Sequence, residues 1–293
     1  LRSVNLSPAP GVNVIYGENA QGKTNLMEAV YLLTGQKSFR AARESDFVRF
    51  GEETARIEAD FICQGRQKSA ALALGGKKQA WLSGVECTPG ELTGEFLAVV
   101  FSPGELALIQ QGPAERRAFL AGAISQVMPR YLAARAAMGR ILLQRNTLIA
   151  DMLKSGNTAA MEPLLETWDR SLARAAYSVC PARARFLRRL APPAAEIYQS
   201  ICRREDPPFP LSHQPSIPAP QGADWAEIPP AEGEAHIRAA LAAARGEDYK
   251  NYCTTLGPHR DNFEVTLAGV SARSFGSQGQ QRSCALALKL AQC

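Results

Sequence analysis

Gly17-Glu-Asn-Ala-Gln-Gly-Lys-Thr24 fits the pattern Gly-x-x-x-x-Gly-Lys-Thr, and its surroundings give the pattern meaning. Just before it, Val12-Asn-Val-Ile-Tyr16 reads as a short apolar strand, and after it Leu26, Val30 and Leu33 predict a helix from Thr24 to Leu33. Strand, glycine-bearing turn and helix together make a Walker A phosphate loop. Such a loop needs glycines so that successive N–H groups curl around phosphate oxygens, a lysine to reach the β and γ phosphates, and a hydroxyl for Mg²⁺. Gly17, Gly22, Lys23 and Thr24 meet these needs, and the dipole of the helix adds a favourable field. The expected nucleotide-binding residues are Gly17, Glu18, Asn19, Ala20, Gln21, Gly22, Lys23, Thr24 and Asn25, with ATP and Mg²⁺ as cofactors and Thr24 as the metal ligand.

Working outward, the first hundred residues mix strand and helix. Ala55 to Cys63, Ser69 to Leu74 and Phe96 to Phe101 read as strands, with Gly75-Gly76 as a turn between hairpin arms. From Pro113 the apolar spacing becomes helical, through Leu120, Ile124, Val127 and Tyr131 and on to Leu153, and Pro129 is expected to kink or split it. Ser155-Gly156-Asn157 marks a loop. Leu164, Trp168, Leu172 and Ala176 trace a second helix, and Phe186, Leu187 and Leu190 begin a third beyond Pro181. Such helices on short loops predict a hairpin or small bundle. Residues 206–230 hold eight of the nineteen prolines, which predicts an irregular or extended connection. A short helix from about Ala231 to Arg245, a strand at Phe263 to Leu267 and an amphipathic run from Gln280 to Leu290 close the sequence.

The 293 residues carry a formal charge of +5 and are 46% hydrophobic, a globular composition. No stretch approaches the roughly 20 apolar residues of a membrane span, and no leader is visible, so a soluble, cytosolic protein without membrane contact is expected. The seven cysteines include no Cys-x-x-Cys pair and the three histidines are scattered, which argues against a disulfide framework or a zinc site. Charge is uneven: between Glu115 and Arg204 there are 15 Lys and Arg against 6 Asp and Glu. That excess points to a polyanionic partner, with solvated helix faces as the plainer alternative.

A phosphate loop leaves the reaction open, because kinases, GTPases and motor-like ATPases share it. A second element appears at Ser277-Gln-Gly-Gln-Gln-Arg-Ser283, a polar turn just before a helix, where Gly279 allows close backbone approach and Ser277 offers a hydroxyl. Alone it is read as well by an ordinary capped helix. Paired with the Walker A loop, it resembles the split ATPase head of the ABC superfamily, in which the signature turn of one subunit closes on the γ-phosphate held by another.

Longer strings narrow this. Tyr16 to Leu26, Val100-Phe-Ser-Pro-Gly-Glu-Leu106, Arg116-Arg-Ala-Phe-Leu120, Leu256-Gly-Pro-His-Arg-Asp261 and Phe275-Gly-Ser-Gln-Gly-Gln-Gln-Arg282 each resemble a motif of the RecF family of recombinational repair ATPases, relatives of the SMC proteins, in the family's order. The resemblance implies an α/β fold, a P-loop ABC-type ATPase head (lobe I, residues 1–112 and 254–293, from both chain ends) with an inserted, mainly helical lobe II (residues 113–253, including the connection 206–230). The first helical stretch, about 40 residues, spans only about 60 Å at 1.5 Å per residue, too short for an SMC arm.

The function implied is an ATP-dependent DNA-binding repair protein that dimerises on ATP, clamps double-stranded or gapped DNA and helps load a recombinase with RecR and RecO mediators. Ser277, Gln278, Gly279, Gln280 and Arg282 are expected to act in trans, and Arg130, Arg135, Arg140 and Arg145 to contact DNA phosphates. His259, Arg260 and Asp261 are expected either near the nucleotide or as an internal Arg–Asp ion pair closing the turn. No apolar run ending in paired carboxylates occurs, so no catalytic acid is assigned and weak ATP hydrolysis at most is expected. A P-loop small-molecule or nucleotide kinase and a non-hydrolysing SMC-like structural head stand as the alternatives.

Overall fold

The computed structural model describes residues 2–40, 44–202 and 208–293. The chain divides into two compact units, residues 1–100 and 101–293.

In the first unit the phosphate loop leads into α1 (Lys23–Leu32), followed by an antiparallel meander of β1 (Ala55–Cys63), β2 (Arg66–Leu74), β3 (Gln79–Leu82) and β4 (Val85–Cys87). Ala55 pairs with Leu74 and Cys63 with Arg66, so β1 and β2 are closed by the two residues Gln64-Gly65. Both have positive φ, 51° and 73°, the geometry that lets a tight turn follow the right-handed twist of its strands. Alternate residues of β1, among them Ile57, Ala59 and Phe61, turn toward Leu72, Leu74 and Ala80, where Leu32, Leu33 and Leu92 complete the core. Each fully buried leucine there contributes about 1.5–3 kcal/mol.

Two expected strands do not form. Val12 to Tyr16 enters no ladder, with Val12 and Tyr16 at 93% and 90% exposure, and Phe96 to Phe101 makes only an isolated bridge at Phe96. Apolar residues favour a strand, but the strand itself is made by a neighbour's N–H and C=O groups. Neither segment has such a neighbour among the described residues.

The second unit begins with α2 (Ala107–Gln110), α3 (Pro113–Val127) and α4 (Pro129–Ser155). Pro129 splits the helical run in two, because a proline at the first helical position has no N–H to leave unsatisfied. Gly156, at φ 66°, ends α4, and α5 (Thr158–Tyr177) packs back on it. Beyond α6 (Cys180–Ile201), Arg203, Arg204 and residues 206 and 207 of the proline-rich connection lie outside the described residues.

The rest of that connection is more ordered than its prolines imply. β5 (Leu211–Gln214) pairs antiparallel with β6 (Asn262–Leu267), which pairs with β7 (Val270–Ser271). Phe209, Ile217, Trp225 and Ile228 are buried, and the Trp225 indole donates to the Ile217 carbonyl at 2.9 Å. These anchors offset the ladder bonds that the prolines cannot make.

After the connection come α7 (Pro230–Ala243), α8 (Arg245–Asn251), α9 (Ala272–Phe275) and α10 (Gln278–Leu290). α10 packs on α6 with Cys284, Ala285, Ala287 and Leu288 buried. Gly233 on α7 lies against the Tyr177 ring, whose hydroxyl is fixed on the Ile228 carbonyl at 2.6 Å. A methyl added at 233 would sit 2.4 Å from Tyr177 Cδ2 and 3.2 Å from Trp225 Cζ3. Gly233→Ala should therefore cost about 1–3 kcal/mol by overpacking, read as a lower urea midpoint. An unchanged midpoint would show that the ring yields freely.

Candidate functional site

The phosphate loop has the backbone its sequence asks for. Gly17, Ala20 and Gly22 have φ of 149°, 65° and 89°, so the chain coils before entering α1. Gly22 caps α1 without any side-chain acceptor, and no acidic residue occupies the first turn. The N–H groups that open the helix are thus left without a side-chain acceptor among the described residues, an arrangement suited to an anion. Lys23 Nζ reaches back across the loop to the carbonyls of Gly17 and Glu18, at 2.7 and 2.5 Å. An ammonium that satisfies itself on two exposed carbonyls has a stronger partner in phosphate oxygens. Thr24 is exposed in the first turn, where its hydroxyl suits a cation bridging those phosphates.

Sequence reading missed Arg40. Its Nη2 donates to Asn25 Oδ1 at 2.7 Å and lies 3.2 Å from Glu28 Oε2. Glu28 is 1% exposed, and the Ser38 hydroxyl donates to its other oxygen. The third residue of α1 is therefore held by a guanidinium from the segment after the helix. Only the basic, serine-containing string Gln36-Lys-Ser-Phe-Arg40 hints at it.

The Ser277 turn is exposed at Phe275, Ser277, Gln278, Gly279 and Arg282. Its inner side is a reciprocal cap: Ser277 Oγ accepts from the Gln280 N–H at 3.2 Å, and Gln280 Oε1 accepts from the Ser277 N–H at 2.9 Å. Gln281, absent from the expected set, holds the turn from behind. It is buried, donates to the carbonyls of Ala272 and Arg273 at 3.1 and 3.0 Å, and accepts from Gln110. Gly279 has helical backbone, and a methyl there meets nothing nearer than Ser277 Oγ at 3.8 Å. The chain's own packing does not require glycine at 279.

The four arginines expected on DNA separate. Arg130, Arg135 and Arg140 are exposed on α4. Arg145 is 0% exposed, with Nε on Asp169, Nη1 on Asp248 (both 2.7 Å) and on Thr254 Oγ1 at 2.8 Å. Its guanidinium is committed to the interior and out of reach of a phosphate. The reason is angular, since each step of five residues turns an α-helix by about 140°. The series therefore spirals around α4, and its fourth member arrives on the inner side.

In the turn 257–261, Asp261 pairs not with Arg260 but with Arg183 of α6, at 3.0 Å, and also accepts from the Ser216 N–H at 2.9 Å. Arg260 is exposed. His259 donates from Nε2 to the Thr254 carbonyl at 3.0 Å, which leaves Nδ1 bare and buried without a partner among the described residues. Burial, then the Arg260 and Arg117 charges, holds its pKa below the usual histidine value against the pull of the Thr254 bond and Asp261. Arg117 of α3 donates to the Asp261 carbonyl at 3.1 Å, and its pKa is lowered by burial and by Arg183 and Arg260 nearby. No helix among the described residues is long and apolar enough to cross a membrane.

No family model matches this chain. It is similar to the DNA replication and repair protein RecF of Heliobacterium modesticaldum, 38% identical over 296 residues that cover 99% of this chain and 76% of that one. RecF of Myxococcus xanthus is 35% identical over 294 residues, covering 100% of this chain and 75% of its own length. Among solved structures, the recombination mediator protein RecF with ATP, of the RecFOR pathway, superposes with a TM-score of 0.87 at 30% identity, covering 98% of this chain and 75% of that one. A second structure of that protein, with ATPrS, gives 0.88 over 98% and 76%.

Proposed function

Because the chain belongs to the RecF family of DNA replication and repair proteins and has the RecF fold, we propose that it binds ATP on the Gly17–Thr24 loop and that ATP joins two copies into a clamp on duplex DNA. The observation that carries this reading is the start of α1: unsatisfied N–H groups, no acid in the first turn, and Lys23 resting on two loop carbonyls. ATP's triphosphate takes those donors, Lys23 turns to the β and γ phosphates, and Thr24 supplies its hydroxyl to Mg²⁺. Held there, Mg²⁺ would supply charge neutralisation to the triphosphate. The RecF solved with ATP supports the nucleotide for this chain.

The trans role of Ser277 to Arg282 draws support from the exposed turn and from Gly279, whose small size relieves no close contact among the described residues. A lobe I built from residues 1–112 and 254–293, with residues 113–253 inserted as lobe II, is part of the same proposal. So are gapped DNA as a target and RecR- and RecO-type mediators as partners. Exposed Arg130, Arg135 and Arg140 suit sequence-independent phosphate contacts.

Ser277→Asp tests the trans signature cleanly. Aspartate caps a helix as well as serine does, so α10 keeps its start while a negative charge enters the place assigned to the γ-phosphate. Sedimentation with saturating ATP and Mg²⁺ should show dimers for the wild type and monomers for Ser277→Asp, with ATP affinity unchanged. Dimers that persist in the variant would exclude the signature role.

A further inference from the structure

Against α4 lies a hollow of about 390 Å³, lined by Arg117, Arg135, Arg183, His259, an apolar floor that includes Met138 and Leu142, and Gly139. Its size falls within the roughly 300–1,000 Å³ range of ligand pockets. Three guanidiniums border it. Arg183 is 2% exposed, with Nε on the Tyr131 hydroxyl and Nη1 on Asp261, and Nη2 has no hydrogen-bond partner among the described residues. Arg135 makes no ion pair among the described residues. Asp261 is the nearby acid, and its two oxygens are engaged by Arg183 and Ser216, so it balances one of the three charges.

Gly139 points the same way. It sits inside the 27-residue helix α4, where glycine costs about 1 kcal/mol relative to alanine. A methyl there would meet no atom within 4 Å. The glycine relieves no clash among the described residues, and it lines the hollow, where a larger side chain has room to enter.

We propose that this hollow is a phosphate subsite, in which Arg183 and Arg117 are fixed donors, Arg135 closes from the surface, and the apolar floor takes the carbon skeleton next to the phosphate. Guanidiniums suit this chemistry through paired N–H groups matched to phosphate oxygens. The phosphate comes from a nucleic-acid backbone or from a free phosphoryl compound. The first source rests on the DNA-binding reading above, and the chemistry of the hollow does not.

Calorimetric titration with inorganic pyrophosphate tests the site, in a Lys23→Ala background that weakens the contribution of the phosphate loop equally in every protein compared. Adding Arg135→Glu, or Gly139→Met, which fills the hollow without changing charge, should weaken pyrophosphate binding at least about tenfold. The charge-matched control Arg170→Glu, on exposed α5 surface, should change it by less than about threefold. Equal affinities in all four proteins, or no pyrophosphate binding, would overturn the proposal, as would poly-glutamate competing as well as pyrophosphate.

A duplex-DNA titration with ATP and Mg²⁺, with Arg135→Glu and Gly139→Met each placed in the protein that keeps Lys23, then separates the sources. Affinity falling with the same two variants assigns the site to backbone phosphate. Duplex binding indifferent to them assigns it to a free phosphoryl ligand. A protein with Lys23 intact that binds no duplex in the presence of ATP and Mg²⁺, while the Lys23→Ala parent binds pyrophosphate, refutes the DNA reading and leaves the subsite standing.

Discussion

Replacing Arg145 with alanine is expected to lower stability by about 3–5 kcal/mol, the largest effect of any single change considered. Its guanidinium is fully desolvated and holds together α4, α5 through Asp169, α8 through Asp248, and the following turn through Thr254. Once it is removed, Asp169 keeps Arg245 at 2.8 Å, whereas Asp248 keeps only the Thr255 N–H and hydroxyl, at 2.8 and 2.6 Å. An uncompensated buried carboxylate accounts for most of the cost. Arg135→Ala on the exposed side of the same helix should stay within about 0.5 kcal/mol. Urea unfolding of both variants measures the difference, and an Arg145→Ala protein as stable as the wild type would refute the account of this buried network.

Lys23→Ala should weaken ATP binding by roughly 10- to 150-fold, the equivalent of one charge-assisted hydrogen-bond set of about 1.5–3 kcal/mol. Stability should hardly change, because the bonds lost to Gly17 and Glu18 are exposed. Titration with ATP and Mg²⁺ reads the first quantity and thermal unfolding the second. Unaltered ATP affinity would mean that the loop is not where the triphosphate sits.

What could be read before any coordinates is what depends on local spacing. The phosphate loop rests on eight consecutive residues, β1 on an apolar–polar alternation that runs from Ala55 to Phe61, and the helix limits on Pro113, Pro129 and Gly156. What escaped depends on partners remote in sequence. Val12 to Tyr16 has the composition of a strand but no neighbouring ladder among the described residues. Arg145 looks no different from Arg135 until Asp169 and Asp248 come together around it. Asp261 chooses Arg183, 78 residues away, over its neighbour Arg260. At the Ser277 turn the helix start was legible, but the role of Gln281 was not, because a buried glutamine is recognised by the carbonyls it reaches.

The affinity for a short DNA duplex, measured by fluorescence anisotropy with and without ATP and Mg²⁺, tests the central claim most directly. The wild type should bind several-fold tighter with ATP, steeply weakened by salt, and Lys23→Ala should lose that gain. Duplex affinity indifferent to ATP in the wild type would contradict an ATP-driven clamp.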